Sequence, residues 1–526
     1  MVRSNKLRDY ALAALSGILL ALSFPRFGHP AFSWIALAPL LVALDRRPLP
    51  RAFGLGWTTG ILYFVGTLYW ITRVLVVYGG LNGWVAVPVN AALVLYLALF
   101  PAVFAVVVAR SVMAFGRRAI LLAPFVWTAT EFGRLHLLGG FPWVLLGYSQ
   151  VTVLPIAQLA SVVGVFGLSA LVASVSAAAA FAVCALGSGR AAPHYVIKPP
   201  GRLERFGPIL PAIVTLAIVG AVAGWGSRRV ARADWTRMGD PVRVGLVQGN
   251  VDQAEKWDGT RRAEIFADYL RLTRQAIGEG AQFLVWPESS TPFRFEEDRA
   301  ATDQLRQLAA EFRVPILIGS EQVERGTPNK YYNAAFLIRP DGSTGGVYHK
   351  MHLVPFGEYV PFKRILFFAA PLVEAAGDFS PGDAAVLLPV LGHLVSTAIC
   401  YEIVYPNLVR QFTTNGSELI TTITNDAWFG ETSAPYQHFA QASMRSIEEG
   451  RYLVRAANTG ISGIVDPYGR VLAASDLYEP AVVVGEARFL QVTTVYAMYG
   501  DLFAYLAVVL TLAMLLQSRA WRLSTT

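Results

Sequence analysis

The chain has 526 residues, of which 54% are hydrophobic and only 15% charged, too apolar for one soluble globule and long enough for several domains. A net charge of +8 would suit nucleic acid only if the cations shared one polar face. They are interleaved with apolar runs instead, which excludes that role.

The chain opens on Arg3 to Arg8 and an apolar run from Tyr10 to Pro25. No small-residue cleavage site follows, so this reads as a retained first helix rather than a signal peptide. A spanning helix takes roughly 20 apolar residues, and further uncharged runs lie at Phe27 to Leu44, Ala52 to Thr72, Leu81 to Ala109, Ala119 to Thr130, Phe206 to Ser227 and Leu502 to Ser518. A longer run goes from Leu135 to Gly189. Its first part, to Pro155, carries Gly139, Gly140 and Pro142 and suits an interfacial or re-entrant segment, whereas Ala160 to Leu186 has the small residues of a packed span.

With one span in that run, seven precede a large polar segment and one follows it. The Lys and Arg clusters at 3–8, 46–51, 110–118, 190–205 and 519–522 then fall on one side, fifteen cations against Arg26, Arg73 and Arg134 on the other. Cations collect on the cytoplasmic face, so both termini are expected there and the polar segment outside. The expected domains are a membrane bundle over 1–239, an outer domain over 240–486 and a last span with a tail over 487–526.

The polar segment alternates strand-like and helix-like stretches. Strands are predicted at Val242 to Gln248, Phe283 to Trp286, Pro315 to Gly319, Tyr332 to Ile338, His393 to Ile399, Leu419 to Thr424, Leu453 to Ala457, Ser462 to Val465 and Val482 to Val484. Helices are predicted at Thr260 to Ile277, Ala300 to Phe312 and Gln437 to Glu449. The fold class is therefore a multi-pass α-helical membrane bundle of about eight spans plus an α/β layered domain.

Of the two cysteines, Cys184 lies in an apolar run and Cys400 in a mixed segment, so no disulfide is expected between them. Cys400 ends a predicted strand and precedes a helix predicted to start near Val404, where a helix N-terminus would lower a thiol pKa. Glu288 follows another strand, a usual place for a general base, and Lys350 lies in a segment rich in aromatics and prolines. Singly, a buried small hydrophobe, a helix N-cap and a surface charge would explain the three. His349 and His352 lack the Cys/His pairing of a zinc site, so no metal is expected.

Together, Glu288 in Val285-Trp-Pro-Glu, Lys350 in Tyr348-His-Lys-Met-His and Cys400 in Cys400-Tyr-Glu-Ile resemble the Glu-Lys-Cys triad of the nitrilase superfamily. Gln248-Gly-Asn, Lys256-Trp257, Pro355-Phe-Gly-Glu-Tyr-Val-Pro and Asn425-Asp-Ala-Trp-Phe-Gly, with the order of spans and outer domain, narrow the resemblance to apolipoprotein N-acyltransferases. That resemblance implies a nitrilase-like αββα sandwich, no cofactor, and a ping-pong reaction. An acyl chain passes from a glycerophospholipid to Cys400, then to the α-amine of a diacylglyceryl-cysteine lipoprotein. It implies a positioning role for Glu358 and places Trp257, Tyr401 and Glu402 around the site. Where the family often has Glu-Thr or Glu-Ser, a small residue and Pro, this chain has Glu288-Ser-Ser-Thr-Pro, one residue out of register.

Two other readings fit part of the pattern. One is a membrane-tethered amidase or hydrolase with water as acceptor, for which seven preceding spans have little use. The other is an inactive lipid-binding or transport protein, which would be expected to have lost a triad member and to carry ionisable groups in its spans. The stretch from Tyr359 to Glu374, with Phe362, Ile365, Leu366, Phe367 and Phe368 around Lys363 and Arg364, reads either as a buried segment of the outer domain's core or, the favoured expectation, as a lid that dips into the membrane interface.

Overall fold

The computed structural model describes residues 6–187, 207–253, 255–256, 259–360 and 379–525. The stretch expected to form a lid, from 361 onward, and Trp257 lie outside them. The chain forms two compact units, one of Met1–Thr72, Asn82–Arg232 and Tyr499–Thr526, the other of Arg73–Leu81 and Ala233–Met498.

The first unit is helical. Among the described residues, three helices are long and apolar enough to cross a membrane, Gly83–Phe115, Ala160–Gly187 and Leu210–Arg237, and a fourth span arises if Leu49–Leu68 and Trp70–Val77, bent by 53°, count as one. Pro30–Ala43 and Leu502–Ser518 are shorter apolar helices. Small residues let the backbones approach closely, as membrane helices require. A Cβ on Gly56 would lie 2.3 Å from the Pro101 carbonyl, and one on Gly60 would lie 2.7 Å from Ala98 Cα.

The region after Leu135 is not a span. It forms short 3-10 turns at Leu137–Gly139 and Leu146–Gln150, with Trp143 to Leu146 buried in the unit. The helix before it, Ala123–His136, runs past the apolar stretch to include Glu131 and Arg134, both buried. These hold the irregular backbone, since Glu131 accepts from Leu146 N at 2.7 Å and Arg134 donates to the Trp143 carbonyl at 2.8 Å. Irregular backbone without water needs partners of this kind.

The second unit has two six-stranded sheets. The first contains β1 (Asp240–Gln248), β2 (Phe283–Val285), β3 (Ile316–Glu324), β4 (Lys330–Ile338), β5 (Thr344–His349) and β12 (Ala481–Phe489), in the order β12-β1-β2-β3-β4-β5. The second contains β6 (Leu388–Val390), β7 (His393–Ile399), β8 (Leu419–Thr424), β9 (Leu453–Ala457), β10 (Gly463–Val465) and β11 (Val471–Ala474), in the order β11-β10-β9-β8-β7-β6. In each sheet three neighbouring strands, β1-β2-β3 and β7-β8-β9, run parallel and the flanking pairs are antiparallel. The sheets face each other, β1 meeting β9 and β4 meeting β7.

The outer face of the first sheet is covered by helices Arg262–Gly278 and Arg299–Phe312. Phe266, Tyr269, Leu305 and Leu308 close there over Leu284, Trp286, Ile316 and Phe336. Helices Pro406–Thr414 and Ala434–Glu449 lie on the second sheet. Three strands went unpredicted for local reasons: β5 contains Gly345 and Gly346, β6 is Leu-Pro-Val, and β11 is a largely exposed edge. Glycine, proline and edge positions all weaken the period-2 signal.

Candidate active site

In open parallel sheets, functional groups gather beyond the carboxyl ends of the strands. Glu288 follows β2, Cys400 follows β7, Asn425 follows β8 and Asn458 follows β9, while Lys350 follows β5. Glu288 is brought inward because β3 passes very close. A Cβ on Gly319 would lie 2.5 Å from the Pro287 carbonyl and 2.7 Å from Glu288 Cα, so a side chain there would push the loop outward. Ser290 N donates to Gly319 O at 2.9 Å and pins the same approach.

Glu288, Lys350 and Glu358 are all buried and share one network. Lys350 Nζ donates to Glu358 Oε1 at 2.9 Å and to Glu288 Oε1 at 3.3 Å. Asn333 Nδ2 bridges the same two oxygens, at 2.8 Å to Glu288 and 2.9 Å to Glu358. Asn425 N donates to Glu288 Oε2 and Val354 N to Glu358 Oε2, at 2.9 and 2.8 Å. Each carboxylate thus faces donors on both oxygens, with Lys350 and Asn333 shared between the two.

The electrostatics follow. Burial pushes the Glu288 carboxyl up, but Lys350, Asn333 and Lys256 outweigh it and hold it below its ordinary value. Burial pulls Lys350 down, and Glu358, Glu288 and Cys400 more than offset this, so the ammonium is retained. The Cys400 thiol is held well above its ordinary value by burial and the Glu288 charge, against the pull of Lys350. This corrects the expectation of a thiol lowered by a helix N-terminus. The residues after β7 form a 3-10 turn, Cys400–Val404, and the helix proper begins at Pro406. At rest the site therefore holds a thiol, a carboxylate and an ammonium.

Glu402 accepts from two segments at once. Its Oε2 accepts from Ile399 N at 2.7 Å, and its Oε1 accepts from Tyr348 OH at 2.7 Å, Met351 N at 2.6 Å and His352 N at 3.0 Å. One buried carboxylate therefore ties the Lys350 loop to the strand end that carries Cys400. Burial raises its pKa to about 7 against these donors. Tyr401 is buried beside Tyr405, with ring centroids 5.2 Å apart. His349 stacks on Tyr332 at 4.1 Å and bonds to Gln322, and His352 packs on Tyr405 at 3.8 Å.

Residues 243–495 match the carbon-nitrogen hydrolase family, and residues 16–178 match the apolipoprotein N-acyltransferase N-terminal domain. An apolipoprotein N-acyltransferase of Geobacter metallireducens is 40% identical over 503 residues, covering 95% of this chain and 93% of that protein. The chain belongs to the apolipoprotein N-acyltransferase family. The Methylococcus capsulatus apolipoprotein N-acyltransferase is 34% identical, over 93% of this chain and 92% of its own. A crystal structure of an amidase from Nesterenkonia sp. aligns with 48% of this chain and 93% of its own, at 22% identity and a TM-score of 0.38.

In this member of the family, Asn333 and Lys256 are the site neighbours that sequence reading passed over as contributors. Lys256 is buried, with Nζ 3.4 Å from the Glu288 carbonyl, and burial lowers its pKa to about 8 against the charges of Glu288 and Glu321. Lys256 had a signal in its motif with Trp257. Asn333 had none, lying mid-strand in Lys330–Ile338 between ordinary strand residues.

Proposed function

We propose that this protein is an apolipoprotein N-acyltransferase of the cell inner membrane. It moves an acyl chain from a glycerophospholipid, through a thioester on Cys400, to the α-amine of an N-terminal diacylglyceryl-cysteine. The observation that carries this reading is the buried Glu288–Lys350–Glu358 network, one charge step away from a protonated cysteine, in a chain of this family. With the thiol held up and the carboxylate held down, proton transfer occurs as the sulfur attacks, which is general-base catalysis.

In the first half-reaction Glu288 takes the Cys400 proton, sulfur bonds to the ester carbon, and Lys350 faces the oxyanion. The C–O bond breaks, and Glu288 gives its proton to the lysophospholipid alcohol. In the second half the amine attacks the thioester carbon and loses a proton to Glu288. The C–S bond then breaks and the thiolate regains that proton. Glu358 and Glu402 act by positioning, Glu358 through Lys350 and Glu402 through the two segments it joins, and Tyr401 and Trp257 belong to the surroundings.

The charge asymmetry of the loops supports eight spans, cytoplasmic termini and a catalytic domain over 240–486 in the periplasm. The deciding experiment is mass spectrometry of the full-length protein after incubation with phospholipid. An acyl adduct on Cys400 is expected in the parent and in a Cys184→Ser variant, and no adduct in Cys400→Ala. Turnover by Cys400→Ala would remove the reading.

A further inference from the structure

Cys400 sits in the left-handed region, with φ +52°, a conformation a side-chain-bearing residue adopts only when its surroundings impose it. Directly behind it lies a fully buried polar cluster that the reaction above does not use. His438, Asp426 and Arg455 are each 0% exposed. His438 Nε2 lies 3.1 Å from the Cys400 carbonyl oxygen, and Nδ1 lies 3.0 Å from both Asp426 Oδ1 and Arg455 Nη2. Arg455 Nη2 also donates to Asp426 Oδ2 at 2.8 Å, and Thr424 Oγ1 to Asp426 Oδ1 at 2.9 Å.

We propose that His438 is a positioning residue for acyl transfer, its Nε2–H holding the Cys400 carbonyl and so fixing the left-handed backbone that aims Sγ between Glu288 and the acyl carbon. A carbonyl only accepts, so Nε2 carries a proton whatever the state of Nδ1. The ring is aimed from behind by Asp426 and Arg455, and the phenyl ring of Phe429 lies at 5.9 Å, edge to face. Asp426 immediately follows Asn425, whose backbone N–H donates to Glu288. Asp426 therefore links the turn that holds the base to the histidine that holds the nucleophile's carbonyl. His438 is itself fully buried, so loss of this brace moves sulfur from behind, and a displacement of about 1 Å costs on the order of 100-fold in rate.

This inference rests on Cys400 being the nucleophile. The test uses full-length protein in detergent–phospholipid micelles, in a Cys184→Ser background so that iodoacetamide reads Cys400. His438→Ala should form acyl-enzyme about 100-fold more slowly, with little change in the half-saturating phospholipid concentration and slower alkylation of Cys400. His438→Gln keeps an N–H donor at the Nε2 position and should recover to within about ten-fold of the parent. Three results would overturn the proposal: a parent-like His438→Ala, a His438→Gln as slow as the alanine variant, or a glutamine variant that does not fold. If His438→Ala itself fails to fold, the glutamine variant's rate decides. An active Cys400→Ala would sink the nucleophile reading, whereas an active His438→Ala beside an inactive Cys400→Ala would sink only this one.

Discussion

Replacing Lys350 by Met tests the buried network at its centre. The ammonium lies 2.9 Å from Glu358 and 3.3 Å from Glu288, and removing one partner of a buried pair costs about 3–5 kcal/mol because the other charge is left uncompensated. For a domain of this size each kcal/mol moves Tm by about 2–4 °C, so a fall of about 10 °C is expected. On the proposed mechanism catalysis loses the oxyanion donor, worth about 2.7–4 kcal/mol or roughly 100- to 1000-fold. A second loss comes through Glu288. Burial raises its carboxyl and Lys350 heads the groups that lower it, so without the lysine the folded pKa climbs and the base is protonated over a wider range of pH. The sign follows: the parent's base stays ionised down to acidic pH, whereas the variant's residual rate should rise with pH through the raised pKa. Adding Glu358→Gln removes one of the two stranded carboxylates and should restore part of the Tm without restoring the rate. The assay is thioester accumulation by mass spectrometry from pH 5.5 to about 9, alongside thermal unfolding in the same detergent. An unchanged rate, or a Tm that falls further in the double variant, would refute the reasoning.

Gly319→Ala should displace the Glu288 loop, since the new Cβ would meet Pro287 O and Glu288 Cα at 2.5 and 2.7 Å; a cost of about 1–3 kcal/mol and a marked drop in thioester formation are expected, and a parent-like rate would show that the loop position is not critical. Glu402→Gln puts an amide where four donors converge, so at least one of them loses its acceptor at about 1–3 kcal/mol. Its Tm should fall by roughly 5 °C and transfer should slow as the Lys350 loop loosens; an unaltered melting curve would contradict the staple geometry.

The primary structure determined a good deal unaided. Alternating apolar stretches bounded by turn residues located nine of the twelve strands among the described residues, because half-buried and fully buried strands write their environment into local pattern. β5, β6 and β11 escaped because a Gly-Gly pair, a proline and an exposed edge are held by neighbours rather than by their own residues. The proposed triad drew notice because Glu288, Lys350 and Cys400 each stand in a distinctive local string.

What only tertiary structure decided is whatever depends on through-space charge and close approach. The upward shift of the Cys400 thiol comes from burial and a carboxylate 112 positions away in the chain, which overrides any local helix effect. Asn333 bridges two carboxylates from mid-strand, and Glu402 joins β5's end to β7's. His438 reaches the Cys400 carbonyl from a helix 38 residues later. A lone Asn, Glu or His in sequence looks the same whether it faces water or a buried charge. The fold selects between these by deciding which groups share a site from which water is excluded, where an unpaired charge or donor is costly and a paired one fixes geometry.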